Sequence, residues 1–394
     1  MASAALRPQA GRAWRRIGLL AMLAAAVAGC APRRPPVTQL PTEPVLRPDA
    51  PAVNPRLPAD ETRNRVAVLV PLSGRDAALG QSILNAANLA LLDTGGQRIR
   101  ITAYDTAAGA VAAVDLAISE GSGLILGPLL AEDVRAVAPV ARQNDVPIIA
   151  FSNDVSVAGD RVYVMGFNPG QSIQRVVAFA RSRGAGRFGA LVPANVYGER
   201  SARALTEAVA DADGRLVGVQ TFELSPAGPR AAAARLNGQG QTDAVLIADV
   251  PRMALPAVPV LRQASPLARL LATERWATES NIGANAALRG AWFAAPSDGL
   301  FSQFRTRYRA RYNTAPFRLA SLGYDSVLLV VRAAADWPVG RAFPVRALRD
   351  SEGFTGVDGA FRFGRDGIAE RALEVREVTA TGTIVVSPAA RGFN

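Results

Sequence analysis

Residues 66–91, VAVLVPLSGRDAALGQSILNAANLAL, join an unbroken apolar run to an amphipathic segment through a short polar loop. The run VAVLVP (66–71) is typical of a buried strand, because its apolar residues are successive and do not alternate with polar ones. Apolar residues then recur at helical spacing from about Asp76 to Leu92. A buried strand followed at once by a helix is the repeating unit of a parallel sheet. This stretch therefore predicts an α/β fold.

The strand–helix unit recurs along most of the chain after residue 65. Strands are predicted at 66–71, 98–104, 124–127, 147–152 and 161–167, and in a second series at 187–193, 216–222, 244–249, 268–273 and 290–295. Two long helices are predicted at about 300–312 and 317–335, before a tail (353–386) that alternates apolar and polar residues around the turn Arg365-Asp366-Gly367. Strand–helix units at this spacing favour mainly parallel sheets with helices on both faces.

The N-terminal region has the pattern of an exported, lipid-modified protein. Arg12, Arg15 and Arg16 precede an apolar run, 17–28, that has signal-peptide length and is too short to span a bilayer. The run ends in VAGC, which resembles the lipobox of bacterial lipoproteins and implies cleavage before Cys30 and acylation of its thiol. Cys30 is the only cysteine and so has no disulfide partner in the chain. The alternatives are an ordinary signal peptide and an interfacial helix.

The segment after the predicted signal peptide (1–29) is expected to be a tether. Residues 30–64 would comprise the acylated N-terminus and a stretch with a proline every three or four residues, which is typical of polyproline II structure. At ~3.1 Å per residue, such a tether would extend to the order of 100 Å. Ala31, in place of an aspartate, follows the cysteine, and this resembles the pattern of lipoproteins sent to the outer membrane.

Composition excludes most catalytic chemistry. The 394 residues include no histidine and no lysine, which removes Ser-His-Asp triads, Schiff-base lysines and P-loop lysines. A zinc site would need carboxylates alone, and no motif nominates a catalytic carboxylate pair. The net charge of +11, about +7 without the signal peptide, is spread as single arginines and lacks the basic clusters of nucleic-acid-binding proteins. We therefore expect a non-enzymatic protein with no cofactor, metal or nucleic-acid ligand.

Six stretches in order resemble the type I periplasmic binding proteins, the family of the branched-chain amino-acid receptors. They are 66–91, YDTAAGAVAAVDLAI (104–118), LILGPLLAEDVRAVAPVARQNDVPIIAFS (124–152), YGERSARAL (197–205), LGYDSVLLV (322–330) and FTGVDGAFRFGRDG (354–367). The resemblance implies two α/β lobes joined by three crossings, with a ligand cleft between them. It places lobe 1 at 65–168, lobe 2 at 169–295, a return to lobe 1 at 296–340 and a return to lobe 2 at 341–394.

The candidate cleft residues follow predicted strands, where loops and helix N-termini form natural ligand sites. They are Ser73, Gly127, Ser152, Asn153, Tyr197 and Trp276. In the amino-acid receptors, the resemblance implies a hydroxyl after the glycine turn and an Ala/Ser-x-Thr clamp that hold the ligand carboxylate. Here Leu129, Leu130 and Ala131 follow the turn, and Asp154 would repel a carboxylate, whereas Tyr197 matches the family tyrosine. A free amino acid is therefore a disfavoured ligand.

Each candidate also has a purely structural interpretation. Ser73 would cap a helix or turn, Ser152 and Asn153 would satisfy their own loop, and Gly127 would be a close-packing glycine. Tyr197 and Trp276 would be packing aromatics. The sequence leaves these alternatives open.

One branch of the family resembles the chain further, namely the lipoprotein activators of penicillin-binding proteins. The chain shares LxPLSGxxAxxGxxI within Val68 to Ile83, LRGAWF at 288–293, and an arginine- and tyrosine-rich helix, Arg305 to Tyr312, before LGYD. The resemblance implies an outer-membrane lipoprotein that faces the periplasm and stimulates a peptidoglycan synthase through protein contact. Better-known members carry a helical repeat domain where this chain has the proline tether.

Two other functions stay open. The first is a tethered receptor that passes an amino acid or related small solute to the permease of an ABC importer. The second is a carboxylate-dependent glycan hydrolase, for which the sequence nominates no residue pair. A rise in the melting temperature when a ligand is added would distinguish a receptor from a regulator.

Overall fold

The computed structural model describes residues 60, 62–279 and 281–393, which belong to one compact unit. The predicted signal peptide, Cys30 and nearly all of the predicted tether lie outside the described residues. Among the helices of the described part, none is both long enough and apolar enough to cross a membrane.

Lobe 1 is built on a five-stranded parallel sheet with the strand order β2-β1-β3-β4-β5. Its elements are β1 (Asn64–Val70), α1 (Ala77–Thr94), β2 (Ile99–Asp105), α2 (Ala110–Ser119), β3 (Ser122–Leu126), α3 (Ala131–Gln143), β4 (Ile148–Ala150) and β5 (Val162–Val164). All seven residues of β1 are buried. Val66, Val68 and Val70 enter the core beneath α1, and Ala67 and Leu69 enter the core beneath α2 and α3. The successive apolar residues of β1 thus reflect a sheet covered on both faces.

Lobe 2 is built on a seven-stranded sheet with the order β15-β14-β10-β9-β8-β6-β7. Its first elements are α4 (Pro169–Ser182), β6 (Arg187–Pro193), α5 (Val196–Asp211), β7 (Arg215–Phe222), α6 (Gly228–Asn237), β8 (Ala244–Ile247), α7 (Pro251–Ala254), α8 (Val258–Ala264), β9 (Arg269–Ala272) and β10 (Trp292–Ala295). Helices α6 to α8 are absent from the sequence prediction. Each has a proline in its first turn, where proline is tolerated, although it breaks a helix elsewhere.

The chain then returns to lobe 1 with α9 (Asp298–Tyr312) and α10 (Ala320–Ala333). A separate antiparallel sheet follows, formed by β11 (Phe354–Gly356), β12 (Gly359–Phe363) and β13 (Ala369–Arg371). Its residues Phe354, Phe361 and Phe363 belong to the same core as β1, α1 and α10. The expected return to lobe 2 at residue 341 is therefore wrong for this sheet, because its aromatic face is buried against lobe 1. Only β14 (Glu374–Thr379) and β15 (Gly382–Ser387) join the lobe 2 sheet, as antiparallel strands.

The three crossings between the lobes are joined to one another by arginines. The crossings are residues 165–168, 296–297 and 372–373. Arg371 donates from Nη2 to the carbonyl oxygen of Met165 at 2.7 Å, which links the third crossing to the first. Arg376 donates from Nη2 to the carbonyl oxygen of Pro296 at 2.6 Å and pairs with Asp298, which links the third crossing to the second. Because these bonds involve buried guanidinium groups, the crossings form one connected hinge.

A cluster of buried charges connects the three-stranded sheet to α10. Asp358, between β11 and β12, pairs with Arg318, and Asp325 of α10 accepts a hydrogen bond from the amide of Val357 at 2.7 Å. Arg371 of β13 interacts electrostatically with both aspartates. Burial, together with repulsion by Asp358, raises the pKa of Asp325 to about 7. Asp325 therefore holds a proton in the folded protein at pH values where it would lose it in the unfolded chain.

Both lobes contain a close contact between a helix glycine and the carbonyl oxygen at a strand end. A Cβ atom on Gly80 of α1 would lie 1.8 Å from the carbonyl oxygen of Pro71, and one on Gly198 of α5 would lie 1.8 Å from that of Pro193. Only glycine lets the helix backbone approach this closely. The contact places the start of each helix beside the end of its strand and so holds the loop between them at the cleft.

We predict that Gly80→Ala destabilises the protein, although alanine normally stabilises a helix relative to glycine by about 1 kcal/mol. The added methyl group would overlap the Pro71 carbonyl, and such overpacking typically costs about 1–3 kcal/mol. Urea unfolding measures the change. Gly299→Ala in α9 is the control, because a Cβ there meets only the Ser297 hydroxyl at 3.9 Å. Equal stability of the two variants would contradict the prediction.

We predict that the free energy of unfolding falls as the pH rises from about 4 to about 7 through the titration of Asp325. In this range the folded state keeps a proton that the unfolded state releases, so each step up in pH favours unfolding. Asp325→Asn should flatten this slope, measured by urea unfolding at several pH values. Asp350→Asn, at a surface pair with Arg332, should leave the slope unchanged. The same slope in wild type and Asp325→Asn would refute the assignment.

Candidate functional site

A cavity of about 540 Å³ lies between the lobes, and we call it the interlobe cavity. Residues that follow the ends of parallel strands supply much of its wall, namely Leu129, Leu130, Phe151 and Asn153 from lobe 1, and Tyr197, Glu274 and Arg275 from lobe 2. The carboxyl ends of strands are the usual place for a ligand in open α/β sheets. The cavity is therefore the candidate site.

The lobe 1 wall combines an apolar patch with the charged side chains of Arg75, Asp76 and Arg318. Leu129, Leu130 and Phe151 line it, together with Phe167 from the first crossing. Asn153 is the one sequence-predicted residue of lobe 1 whose side chain lines the cavity, and it is exposed. The apolar patch offers a ligand dispersion contacts, and the guanidinium groups are hydrogen-bond donors.

Gly127 and Ser73 have structural positions outside the cavity lining. Gly127 has φ +95°, and a Cβ there would lie 2.1 Å from the carbonyl oxygen of Leu69, so glycine is required by close packing at the strand end. Ser73 is exposed, and its hydroxyl hydrogen-bonds to the carboxylate of Asp105. That bond and the amide of Leu72, at 2.7 Å, keep the pKa of Asp105 below its ordinary value. Gly127 is thus the close-packing glycine of the alternative interpretation, whereas Ser73 bonds to Asp105 and does not cap the following helix, whose N-cap residue is Asp76.

Ser152 also serves its own loop. It is 2% exposed, and its hydroxyl oxygen accepts a hydrogen bond from the amide of Asp154 at 3.1 Å. The side chain is not among those that line the interlobe cavity. A carboxylate clamp at this place would need a hydroxyl that faces the cavity, and the buried Ser152 does not present one.

Asp154 links the two lobes. Its carboxylate lies 2.5 Å from Nη2 of Arg135 in lobe 1 and 2.6 Å from Nη2 of Arg200 on α5 of lobe 2. Burial opposes its ionisation, but hydrogen bonds from Ser156 and the charges of Arg200 and Arg135 outweigh burial, so its pKa lies below the ordinary value. The expected repulsion of a ligand carboxylate by Asp154 is wrong, because the side chain is 3% exposed and neutralised by two arginines.

The lobe 2 wall carries the polar chemistry of the cavity. The hydroxyl of Tyr197 lies 2.8 Å from Oγ1 of Thr273 and donates to Oε1 of Glu274 at 3.2 Å. The hydroxyl of Ser172 donates to Oε2 of Glu274 at 2.5 Å. Burial raises the pKa of Glu274 and, with the nearby charge of Glu274, raises that of Tyr197 well above its ordinary value. Among the described residues, Glu274 has no ion-pair partner, since Arg275 pairs with Asp249 at 3.2 Å.

Trp276 is a core residue. It is 0% exposed, donates from Nε1 to the carbonyl oxygen of Asp249 at 2.8 Å, and packs on Phe293 at 6.4 Å between ring centroids. It is not among the residues that line the interlobe cavity, although it borders a neighbouring groove. Its hydrogen bond and its ring contact are both within lobe 2.

Sequence reasoning missed Glu274 and Arg275. Both follow the end of strand β9 and precede Trp276 in the sequence. The rule that ligand residues follow strand ends, which selected Trp276, would therefore have selected them as well. No arrangement of acidic side chains able to hold a metal ion occurs within residues 60, 62–279 and 281–393. The cavity is thus lined by the half-buried carboxylate of Glu274, by hydroxyl groups, by an apolar patch and by the charged side chains of Arg75, Asp76, Arg275 and Arg318.

Known proteins resemble this chain in sequence and fold. The sequence matches the periplasmic binding protein family over residues 64–383. An uncharacterized protein of Rickettsia prowazekii (strain Madrid E) is 26% identical over 163 residues, which are 41% of this chain and 44% of that protein. The match therefore spans less than half of that relative's length.

Two solved structures illustrate the range of functions found on this fold. The leucine-binding protein LivK of Thermotoga maritima is 20% identical, with a TM-score of 0.62, over 83% of this chain and 98% of that one. The C-domain of LpoA from Haemophilus influenzae, a regulator of PBP1A, is 18% identical, with a TM-score of 0.65, over 82% and 100%. At these identities the likeness establishes the fold alone. The family match covers most of the chain, and the chain belongs to the periplasmic binding protein family.

Proposed function

We propose that this protein is a non-enzymatic envelope lipoprotein that regulates a peptidoglycan synthase, a penicillin-binding protein, through protein contact. It is anchored in the outer membrane through Cys30, with its folded part in the periplasm. The observation that carries the proposal is the lobe 1 wall, which lacks a carboxylate clamp. Leu129 and Leu130 occupy the turn where a receptor for amino acids would present a hydroxyl, and Ser152 is buried outside the cavity lining.

The contacts between the lobes also support a protein whose lobes keep one arrangement and which acts through its outer surface. The pair between Asp154 and Arg200 joins the lobes directly, and Arg371 and Arg376 join the three crossings. Opening the lobes would separate Asp154 from Arg200, so this charge-assisted contact favours the observed arrangement of the lobes. A transport receptor, in contrast, relies on opening and closing around its solute.

The likeness to the LpoA C-domain fits this proposal. That domain is described as a regulator of PBP1A, and it aligns with this chain over its whole length. In this chain the proline-rich residues 31–59 would connect the domain to Cys30 and give it reach across the periplasm. Mass spectrometry of the intact protein extracted from membranes tests the lipid anchor, since a diacylglyceryl group on Cys30 adds a defined mass.

We predict that the detergent-solubilised full chain co-purifies with a bifunctional peptidoglycan synthase and raises its rate of glycan polymerisation. Glu274→Gln, which neutralises the carboxylate of the interlobe cavity, should stimulate as well as the wild type, because the contact is made by the outer surface. Absence of both binding and a change in rate, across the bifunctional synthases of the source cell, would refute the proposal.

A second candidate function is a receptor for a small cationic or zwitterionic solute, feeding an ABC importer. The observation that favours it is Glu274, a carboxylate without an ion-pair partner among the described residues, in a cavity of about 540 Å³. Tyr197 and Ser172 orient its two oxygens, which leaves it ready to bind an ammonium group. An apolar part of the solute would lie on Leu129, Leu130 and Phe151.

For this candidate we predict that an amino acid or amine raises the melting temperature of the wild type and not that of Glu274→Gln. A ligand at 100 times its dissociation constant stabilises the folded state by about 2.7 kcal/mol. Glu199→Gln, an exposed residue on α5 outside the cavity lining, should respond like the wild type. A flat response of the wild type across amino acids, amines, peptides and muropeptides would remove the candidate.

A further inference from the structure

A second groove adjoins the interlobe cavity and has a different chemistry. It has a volume of about 650 Å³ and runs between α9 of lobe 1 and the lobe 2 segments around Thr278 and Thr383. Leu79, Thr278 and Arg318 line both the groove and the cavity. We call it the arginine groove, because Arg305, Arg309, Arg318 and Arg376 all line it.

Two of these arginines are paired and two are not. Arg318 pairs with Asp358, and Arg376 pairs with Asp298 and Glu374. Arg305 and Arg309 are exposed and, within the described part of the chain, make no hydrogen bond, ion pair or ring contact. Glu279 is the remaining acidic residue in the lining. The groove thus carries an excess of positive charge at two free guanidinium groups.

The neighbouring arginine of α9 behaves differently. Arg307 lies 3.4 Å from the carboxylate of Asp93 and donates to the hydroxyl of Tyr324 at 3.2 Å. Its charge is therefore used within the fold, on the face of α9 turned toward α1. The two arginines of α9 that have no partner among the described residues, Arg305 and Arg309, both lie on the face that lines the groove.

The spacing of the two free arginines suits an extended acidic chain. Residues four apart on a helix are neighbours on one face, with Cβ atoms about 6 Å apart. In an extended peptide, alternate side chains on one face are about 6.6 Å apart, since each residue advances the chain by about 3.3 Å. Carboxylates at alternate positions would therefore meet Arg305 and Arg309 together, each in the bidentate geometry that guanidinium favours.

The lining also offers apolar and hydroxyl contacts. Phe301 lies one turn before Arg305 on α9, and Phe317 is 50% exposed, so both rings contribute apolar surface. Ser302 and Thr383 add hydroxyl groups. A free inorganic anion would use the guanidinium groups alone, whereas a peptide would use the aromatic rings and the hydroxyls as well.

We propose that the arginine groove binds an extended acidic segment of a protein partner, with two carboxylates on Arg305 and Arg309. This inference deepens the proposed function and rests on it in one respect, namely that the partner is a protein. The charge of the groove complements such a segment, and its lining residues come from both lobes. Binding there would also join the lobes and add to the contacts at the hinge.

The test uses the full chain and a fluorescein-labelled heptapeptide with glutamate at alternate positions, followed by fluorescence anisotropy. The wild type should bind this peptide and not the matched peptide with glutamine. The double variant R305E/R309E should bind about tenfold more weakly or worse. R311E is the control, because Arg311 carries the same charge on the same helix but does not line the groove. R305K/R309K keeps the charge and should retain part of the binding.

Several outcomes would overturn the inference. They are equal binding of the two peptides, equal loss of binding in R311E and R305E/R309E, or no binding by the wild type at low salt. Inorganic phosphate or an anionic glycan that binds through Arg305 and Arg309 while the peptide does not would also overturn it. Loss of peptide binding at about 1 M salt, where the screening length is about 3 Å, supports it.

The same variants separate this inference from the proposed function. If the wild type and R305E/R309E stimulate the synthase equally, the groove is not the contact, and the proposed function stands. If the peptide binds through the two arginines but no synthase responds, the groove assignment stands and the proposed function fails. Unchanged melting temperatures of both double variants exclude misfolding as the cause.

Discussion

In both lobes a helix backbone lies directly against the carbonyl oxygen that ends a buried strand, and the cleft depends on this contact. Gly80 meets Pro71 in lobe 1, and Gly198 meets Pro193 in lobe 2. Because no side chain separates helix from strand, the loops between them are held at the edge where the strands end. Tyr197 immediately precedes Gly198, so the contact that fixes α5 also fixes the tyrosine in the wall of the interlobe cavity. A backbone contact thus sets the position of a polar side chain.

Arginine makes every cationic contact within the described part of the chain, and its geometry determines how the lobes are held. The guanidinium group stays charged when buried, forks to two acceptors and stacks on aromatic rings. Arg371 and Arg376 use the fork at the crossings, and Arg318 lies 3.9 Å from the ring centroid of Phe301 while it pairs with Asp358. Lysine, a flexible point charge, would not reproduce these combined contacts. In the groove beside α9, Arg305 and Arg309 have no such internal partner among the described residues.

Receptor and regulator share this fold, so the fold does not decide between them. What distinguishes them is the chemistry of the two walls of the cavity. The lobe 1 wall presents leucines at the glycine turn and keeps Ser152 buried, whereas the lobe 2 wall presents Glu274 with its oxygens oriented by Tyr197 and Ser172. The missing hydroxyls agree with the proposed regulator that acts through its surface, and the carboxylate of Glu274 is the feature a receptor would use.

The sequence by itself determined the alternation of strands and helices, since apolar periodicity is a local property that follows from burial on one or two faces. It predicted the parallel sheets, the family and the approximate ends of most elements, as in the run 66–71 and the observed strand Asn64–Val70. Only the tertiary structure decided the lobe to which β11–β13 belong, because that depends on which core buries Phe354, Phe361 and Phe363. It also decided that Trp276 is core, that Asp154 is neutralised by Arg200 across the lobes, and that Arg305 and Arg309 remain without partners while Arg307 is paired. Residue type states which bonds a side chain can make, but the partners come from distant parts of the chain, and only folding brings them within bonding distance.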